Sequence, residues 1–113
     1  MKFLHTRFRV RDMKKSVEFY TKTLGLIVAR QTTSPRGFPL VFLRADDSGV
    51  ELELCQLPGD FLIPDDLMHI AFDVADITKF KHLLADGVQK TSSGTVIGFI
   101  SDPDGYEIEL IQH

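Results

Sequence analysis

Two histidines and two glutamates stand at matched places in this chain, and they are the residue types that hold a divalent metal. His5 opens the run His5-Thr-Arg-Phe8-Arg-Val10-Arg-Asp12-Met13, and His69 opens His69-Ile-Ala-Phe72-Asp-Val74-Ala-Asp76-Ile77. Both read His-x-x-Phe-x-Val-x-Asp followed by an aliphatic or Met residue, 64 positions apart (5 to 69). Glu51–Gln56 (ELELCQ) and Glu107–Gln112 (EIELIQ) repeat a second pattern 56 positions apart (51 to 107), so Glu53 matches Glu109. Neutral imidazole nitrogen and carboxylate oxygen suit zinc, nickel, iron or manganese. A lone histidine on a strand is ordinarily structural or solvated. Four ligand residues matched by a repeat point to a metal.

The two matches occur in the same order, so the chain divides into two copies of one unit: module 1, residues 1–57; a linker, 58–65, rich in Pro and Gly; and module 2, residues 66–113. Alternation and strand-forming residues predict a strand over 3–10. Asp12 then caps a helix whose Met13, Val17, Tyr20 and Leu24 recur at helical spacing, with Gly25 closing it. Strands follow at 27–32, 39–44 and 50–56, with Asp46–Gly49 as the turn before the last. In the second copy the strands are 68–74, 88–90, 95–101 and 106–112. Its helix runs from Asp76 through Ile77, Phe80, Leu83 and Leu84 to Gly87, and Asp102-Pro-Asp-Gly105 makes its last turn. The fold class is therefore α+β: two tandem βαβββ modules forming a curved mixed sheet around a metal-site cavity.

Side chains alternate across a strand. His5, Arg7 and Arg9 share one face, opposite Leu4, Phe8 and Val10; Glu51, Glu53 and Cys55 oppose Leu52 and Leu54; His69 opposes Ile70 and Phe72; Glu107 and Glu109 oppose Ile108 and Leu110. The apolar faces pack on the helices. On the other face, Glu51 and Glu107 are expected to meet water, Cys55 to be structural, and His82 and His113, which have no repeat partner, to be solvated.

The chain has 113 residues, a net charge of −3 and a pI near 5.7. Nothing in that balance points to nucleic acid or an anionic membrane as partner, and no apolar run approaches the length of a membrane span. The N-terminal MKFLHTRFRV lacks the pattern of a signal peptide, and the one cysteine fits a cytoplasmic protein.

The stretches LHTRFRVRDMKKSVEFYTKTLGL, GVELEL, HIAFDV and DPDGYEIELIQ resemble the vicinal oxygen chelate superfamily of glyoxalases, bleomycin resistance proteins and dioxygenases, over essentially the whole chain. The resemblance is closest to glyoxalase I, the lactoylglutathione lyase. It places four metal ligands on His5, Glu53, His69 and Glu109, where bleomycin-binding members lack such ligands and extradiol dioxygenases use two His and one Glu. It implies a divalent metal, nickel or zinc first, with cobalt, manganese or iron compatible. It implies that a 2-oxoaldehyde–thiol hemithioacetal of the methylglyoxal type becomes a 2-hydroxyacyl thioester through an enediolate. Glu109 is the principal base in this account, Glu53 its repeat partner, and Arg9 holds a substrate carboxylate. A homodimer with shared active sites is the implied assembly. Departures from the family lie at Leu57, where a glutathione-binding Asn is expected, and in the short loop Gln89–Gly94. Two alternatives remain: another metal enzyme of the superfamily (epimerase, thiol transferase or oxygenase), and a metal-free small-molecule binding module.

Overall fold

The computed structural model describes residues 1–45, 49–64 and 68–113. Residues 46–48 of the expected Asp46–Gly49 turn and the module boundary at 65/66 lie outside those residues. Two compact units are present, Met1–Phe61 and Leu62–His113.

In the first unit β1 (His5–Val10) leads into α1 (Met13–Glu18), followed by β2 (Ile27–Thr33), β3 (Pro39–Arg44) and β4 (Glu51–Gln56). The sheet order is β1-β4-β3-β2. β1 lies parallel to β4, and the other pairs are antiparallel. In the second unit β5 (His69–Asp73), a 3₁₀ helix (Ile77–Leu83), β6 (Val88–Lys90), β7 (Val96–Ser101) and β8 (Glu107–Gln112) repeat the plan with the order β5-β8-β7-β6. The α+β class and the βαβββ unit are as expected from the sequence. The first strand of each unit is shorter than alternation predicts and starts at its histidine.

The helices differ from expectation. Asp12 does cap α1, its side chain accepting from Lys15 N–H at 3.2 Å. But α1 ends at Glu18, and Phe19–Thr23 continues it as a π-helix. There Thr21 Oγ1 donates to Val17 O at 2.7 Å, taking the carbonyl that an α-helix would offer to the Thr21 backbone N–H. Gly25, at φ 75°, then reverses the chain. In the second unit Asp76 caps through Thr78 N–H at 3.0 Å, and the following residues wind as a 3₁₀ helix, which brings Ile77 and Leu84 into the core.

The repeated Glu-x-Glu-Leu-x-Gln motif has a structural explanation. Its second, fourth and sixth residues share the helix face. Leu52, Leu54, Ile108 and Leu110 are buried there, each fully buried aliphatic chain contributing about 1.5–3 kcal/mol. The glutamines end the same row: Gln56 Oε1 accepts from Met13 N–H and Gln112 Oε1 from Ile77 N–H, both at 2.8 Å. Each closing strand thus satisfies the first N–H of its own unit's helix, one of the orphan donors at a helix start. The glutamates are left on the opposite face. The DPDG turn aligns β8: Asp102 is buried, and its Oδ1 accepts from the N–H groups of Asp104, Gly105 and Tyr106 at 2.9, 3.0 and 2.9 Å. Among the described residues no helix is long and apolar enough to cross a membrane.

Candidate metal centre

In each unit the parallel pairing of the first and last strands brings the histidine beside the glutamate. His5 Nε2 lies 2.9 Å from Glu53 Oε2, and His69 Nε2 lies 3.0 Å from Glu109 Oε2. The four residues expected from the sequence therefore form two pairs of like geometry, one per unit. Among the described residues no unit gathers three or more His, Cys, Asp or Glu side chains at metal-binding spacing.

The third strand adds an aromatic wall to each pair. The Phe42 ring meets His5 edge-on, with centroids 5.7 Å apart and planes at 80°, and Phe99 meets His69 at 5.4 Å and 90°. Register places Phe42 opposite Glu53 and Phe99 opposite Glu109. The repeated cell is thus His–Glu–Phe. The sequence does not mark the phenylalanines, because their strands do not repeat as a recognisable string; only the strand register sets Phe42 and Phe99 at equal positions opposite the two glutamates.

The donor set and its surroundings fit a divalent ion. Glu53 is 1% exposed, and burying a carboxylate without compensation is costly. Its Oε1 is satisfied by Arg7, while its Oε2 is buried without a hydrogen-bond partner and lies 2.9 Å from His5 Nε2. A cation between imidazole nitrogen and that oxygen would satisfy both.

Several site-face residues behave differently from expectation. Glu51 does not simply face water: Arg30 Nη1 donates to its two oxygens at 2.8 and 3.0 Å, while the Arg30 guanidinium stacks 3.9 Å from the Phe42 ring centroid. Glu107 is exposed as expected. Arg9 Nη2 donates to the carbonyls of Pro58 and Gly59 at 3.0 and 3.4 Å, and the Arg9 and Arg11 guanidiniums lie 4.5 and 4.2 Å from the Phe61 ring centroid. These contacts strap the segment after β4. Leu57 and Phe38 pack against an apolar patch of Leu40, Phe42 and Cys55. Cys55 is buried, as a structural cysteine should be, and burial pushes its thiol pKa up. The Arg7 guanidinium is held above its already high pKa chiefly by the hydrogen bonds to Glu53. His113 is exposed, with Nδ1 2.9 Å from Asp73 Oδ1.

The chain matches the model of the Glyoxalase/Bleomycin resistance protein/Dioxygenase superfamily over residues 2–110. It is 35% identical over 126 residues to a probable lactoylglutathione lyase of Synechocystis sp., covering 99% of this chain and 95% of that protein. It is also 35% identical over 126 residues to a lactoylglutathione lyase of Haemophilus influenzae, covering 100% and 93%. Among solved structures, a trypanothione-dependent glyoxalase I of Leishmania major matches with a TM-score of 0.80 at 34% identity, over 99% of this chain and 86% of that one.

Proposed function

The chain belongs to the glyoxalase/bleomycin resistance protein/dioxygenase superfamily and is a lactoylglutathione lyase-like enzyme, and on that premise we propose that it isomerises a 2-oxoaldehyde–thiol hemithioacetal to a 2-hydroxyacyl thioester with the help of a divalent metal. The observation that carries this is the twofold His–Glu–Phe cell, with the buried Glu53 Oε2 left without a hydrogen-bond partner. His5, Glu53, His69 and Glu109 would hold the ion, and nickel or zinc suits two imidazoles and two carboxylates. Bound there, a divalent ion supplies Lewis-acid polarisation of two neighbouring substrate oxygens.

The chain's own groups do the rest. Glu109 takes the proton from the carbon that bears sulfur and hydroxyl, and returns it to the adjacent carbonyl carbon. The hydroxyl proton moves to the neighbouring oxygen, and the carbon–sulfur bond is kept, so the step is an isomerisation with no net gain or loss. General acid–base transfer of this kind contributes about 10²–10⁴-fold. Phe42 and Phe99 shield the imidazoles, and Arg9 offers a guanidinium to a substrate carboxylate, exchanging its bonds to the Pro58 and Gly59 carbonyls.

Each unit supplies two ligands, so a set of four needs two half-sites. In our proposal a homodimer brings His5 and Glu53 of one chain to His69 and Glu109 of the other. The thiol is also open to choice. The named relatives are lactoylglutathione lyases and the Leishmania protein is trypanothione-dependent, while here Leu57 belongs to an apolar patch. Glutathione is therefore expected to be a weaker substrate than for those lyases. The test is thioester formation from methylglyoxal and a panel of thiols, with metal-stripped and metal-reloaded protein. Metal-dependent turnover with at least one thiol is expected. Absence of turnover with every thiol after reloading would sink the proposal and favour the binding-module alternative.

A further inference from the structure

The two half-sites match at histidine, glutamate and phenylalanine, and they differ at the residue beside each glutamate. Parallel register sets Arg7 opposite Glu53 in the first unit and Ala71 opposite Glu109 in the second. The consequence is visible in the hydrogen bonds. Arg7 Nη2 and Nε both donate to Glu53 Oε1, at 2.8 and 3.2 Å. Both bonds fall on one oxygen, so Oε1 is fully engaged and only Oε2 is turned toward His5. Ala71 has no group to offer Glu109, whose bond within the unit is the 3.0 Å contact with His69.

Packing widens the difference. Glu53 is closed in, with its side chain 2% exposed, whereas the Glu109 side chain is 16% exposed. The aromatic walls follow suit: Phe42 is buried beneath the Arg30 guanidinium, while Phe99 is 40% exposed. A carboxylate that shuttles a proton between adjacent carbons must swing toward the substrate. Glu53, gripped through one oxygen by two charge-assisted bonds and walled on the other side, is built to stay still. Glu109 has no such grip.

We propose that Arg7 is a positioning residue that holds Glu53 as a fixed, one-oxygen ligand and thereby confines the proton shuttle to Glu109. The proposal rests on the metal-dependent isomerase reading above, and it removes the ambiguity that the repeat leaves between the two glutamates. Arg7 touches neither substrate nor the reacting atoms in this account; it acts through Glu53.

Two measurements test it on the full chain. The first uses metal-free protein and no activity: a double-mutant cycle of Arg7→Met and Glu53→Gln, read by urea unfolding. Met keeps the aliphatic stem of an arginine that is half in solvent, so the variant is expected to fold. The expected result is non-additive midpoints, with the second substitution having little effect once the first is made. Additive midpoints would mean that Arg7 does not hold Glu53, and would overturn the proposal while leaving the metal-dependent reaction intact. The second measures kcat of reloaded protein in the Glu109→Gln background. Glu109→Gln alone should lose about 10²-fold or more. Adding Arg7→Met should restore at least about tenfold of that loss, because the released Glu53 now takes the proton-transfer role; Arg7→Lys, which keeps one donor point, should restore less. A merely structural arginine predicts a further loss instead. No restoration, or a Glu109→Gln variant as active as wild type, would overturn the assignment. Failure of the isomerase reading itself is told apart by wild-type protein that takes up no metal and turns over no hemithioacetal.

Discussion

Replacing Gln56 by Leu tests whether the last residue of the repeated strand motif ties helix to sheet. The substitution keeps bulk on the helix face and deletes the acceptor that Met13 N–H uses at 2.8 Å. Loss of a helix-start cap costs about 1 kcal/mol, and stranding a partly buried N–H costs about 1–3 kcal/mol. Met13 is half-buried, which keeps this case toward the lower end, so about 1–2 kcal/mol is expected. For a domain of this size that is a fall in Tm of roughly 4–8 °C. Gln112→Leu should cost more, because it strands the N–H of Ile77, a residue only 3% exposed. Gln56→Glu is the control: it keeps an acceptor in place and sets negative charge at a helix start, where it is favoured by about 0.3–1 kcal/mol. Thermal unfolding by far-UV circular dichroism and urea unfolding with an unchanged m-value are the assays. A Gln56→Leu variant that melts with wild type, or a Gln56→Glu variant that falls as far as Gln56→Leu, would refute the capping role.

Three further outcomes are expected. Cys55 should react slowly with thiol reagents in native protein near pH 8 and rapidly once unfolded, because burial raises its thiol pKa above the usual 9.0; the raised value contributes stability below the unfolded-state pKa that is lost as pH climbs through the folded one, so urea midpoints should drop on the alkaline side. Gly98→Ala should destabilise the second unit, since a Cβ there would lie 2.6 Å from Leu84 Cδ2 and 3.3 Å from Gly87 O; overpacking costs about 1–3 kcal/mol against a strand gain of up to about 1, and an unchanged urea midpoint would contradict the close approach. Mixing the inactive variants Glu53→Ala and Glu109→Ala under subunit exchange should restore about a quarter of wild-type activity if sites are shared across a homodimer; no recovery despite proven exchange would reject shared sites.

Much of this architecture was legible in the sequence because strand alternation assigns faces without knowing the partners. His5, Glu53, His69 and Glu109 fell on the polar faces of their strands, and the structure meets them in two pairs. What alternation leaves open is which residues on a face become neighbours. That depends on β1 lying parallel to β4, and only this register reveals that Arg7 grips Glu53. The same gap put Glu51 in water, although Arg30 arrives from β2, past a register shift between Val28 and Arg30. The repeated glutamines were visible as letters, but their role needed the helix start to lie over the end of the closing strand. Helix type was out of reach for a similar reason: apolar spacing places a helix at 13–24, but a single Thr21 hydroxyl bonded to Val17 O accompanies its opening into a π-helix.

Titration of metal-stripped protein with nickel or zinc, followed calorimetrically, tests the central claim most directly. Wild-type protein should take up one ion per chain, and His5→Ala, Glu53→Ala, His69→Ala and Glu109→Ala should each weaken or abolish uptake, while Glu107→Ala, altering a carboxylate outside the two pairs, should leave it unchanged. Wild-type protein that binds no ion, or uptake that survives loss of both His5 and His69, would contradict the account.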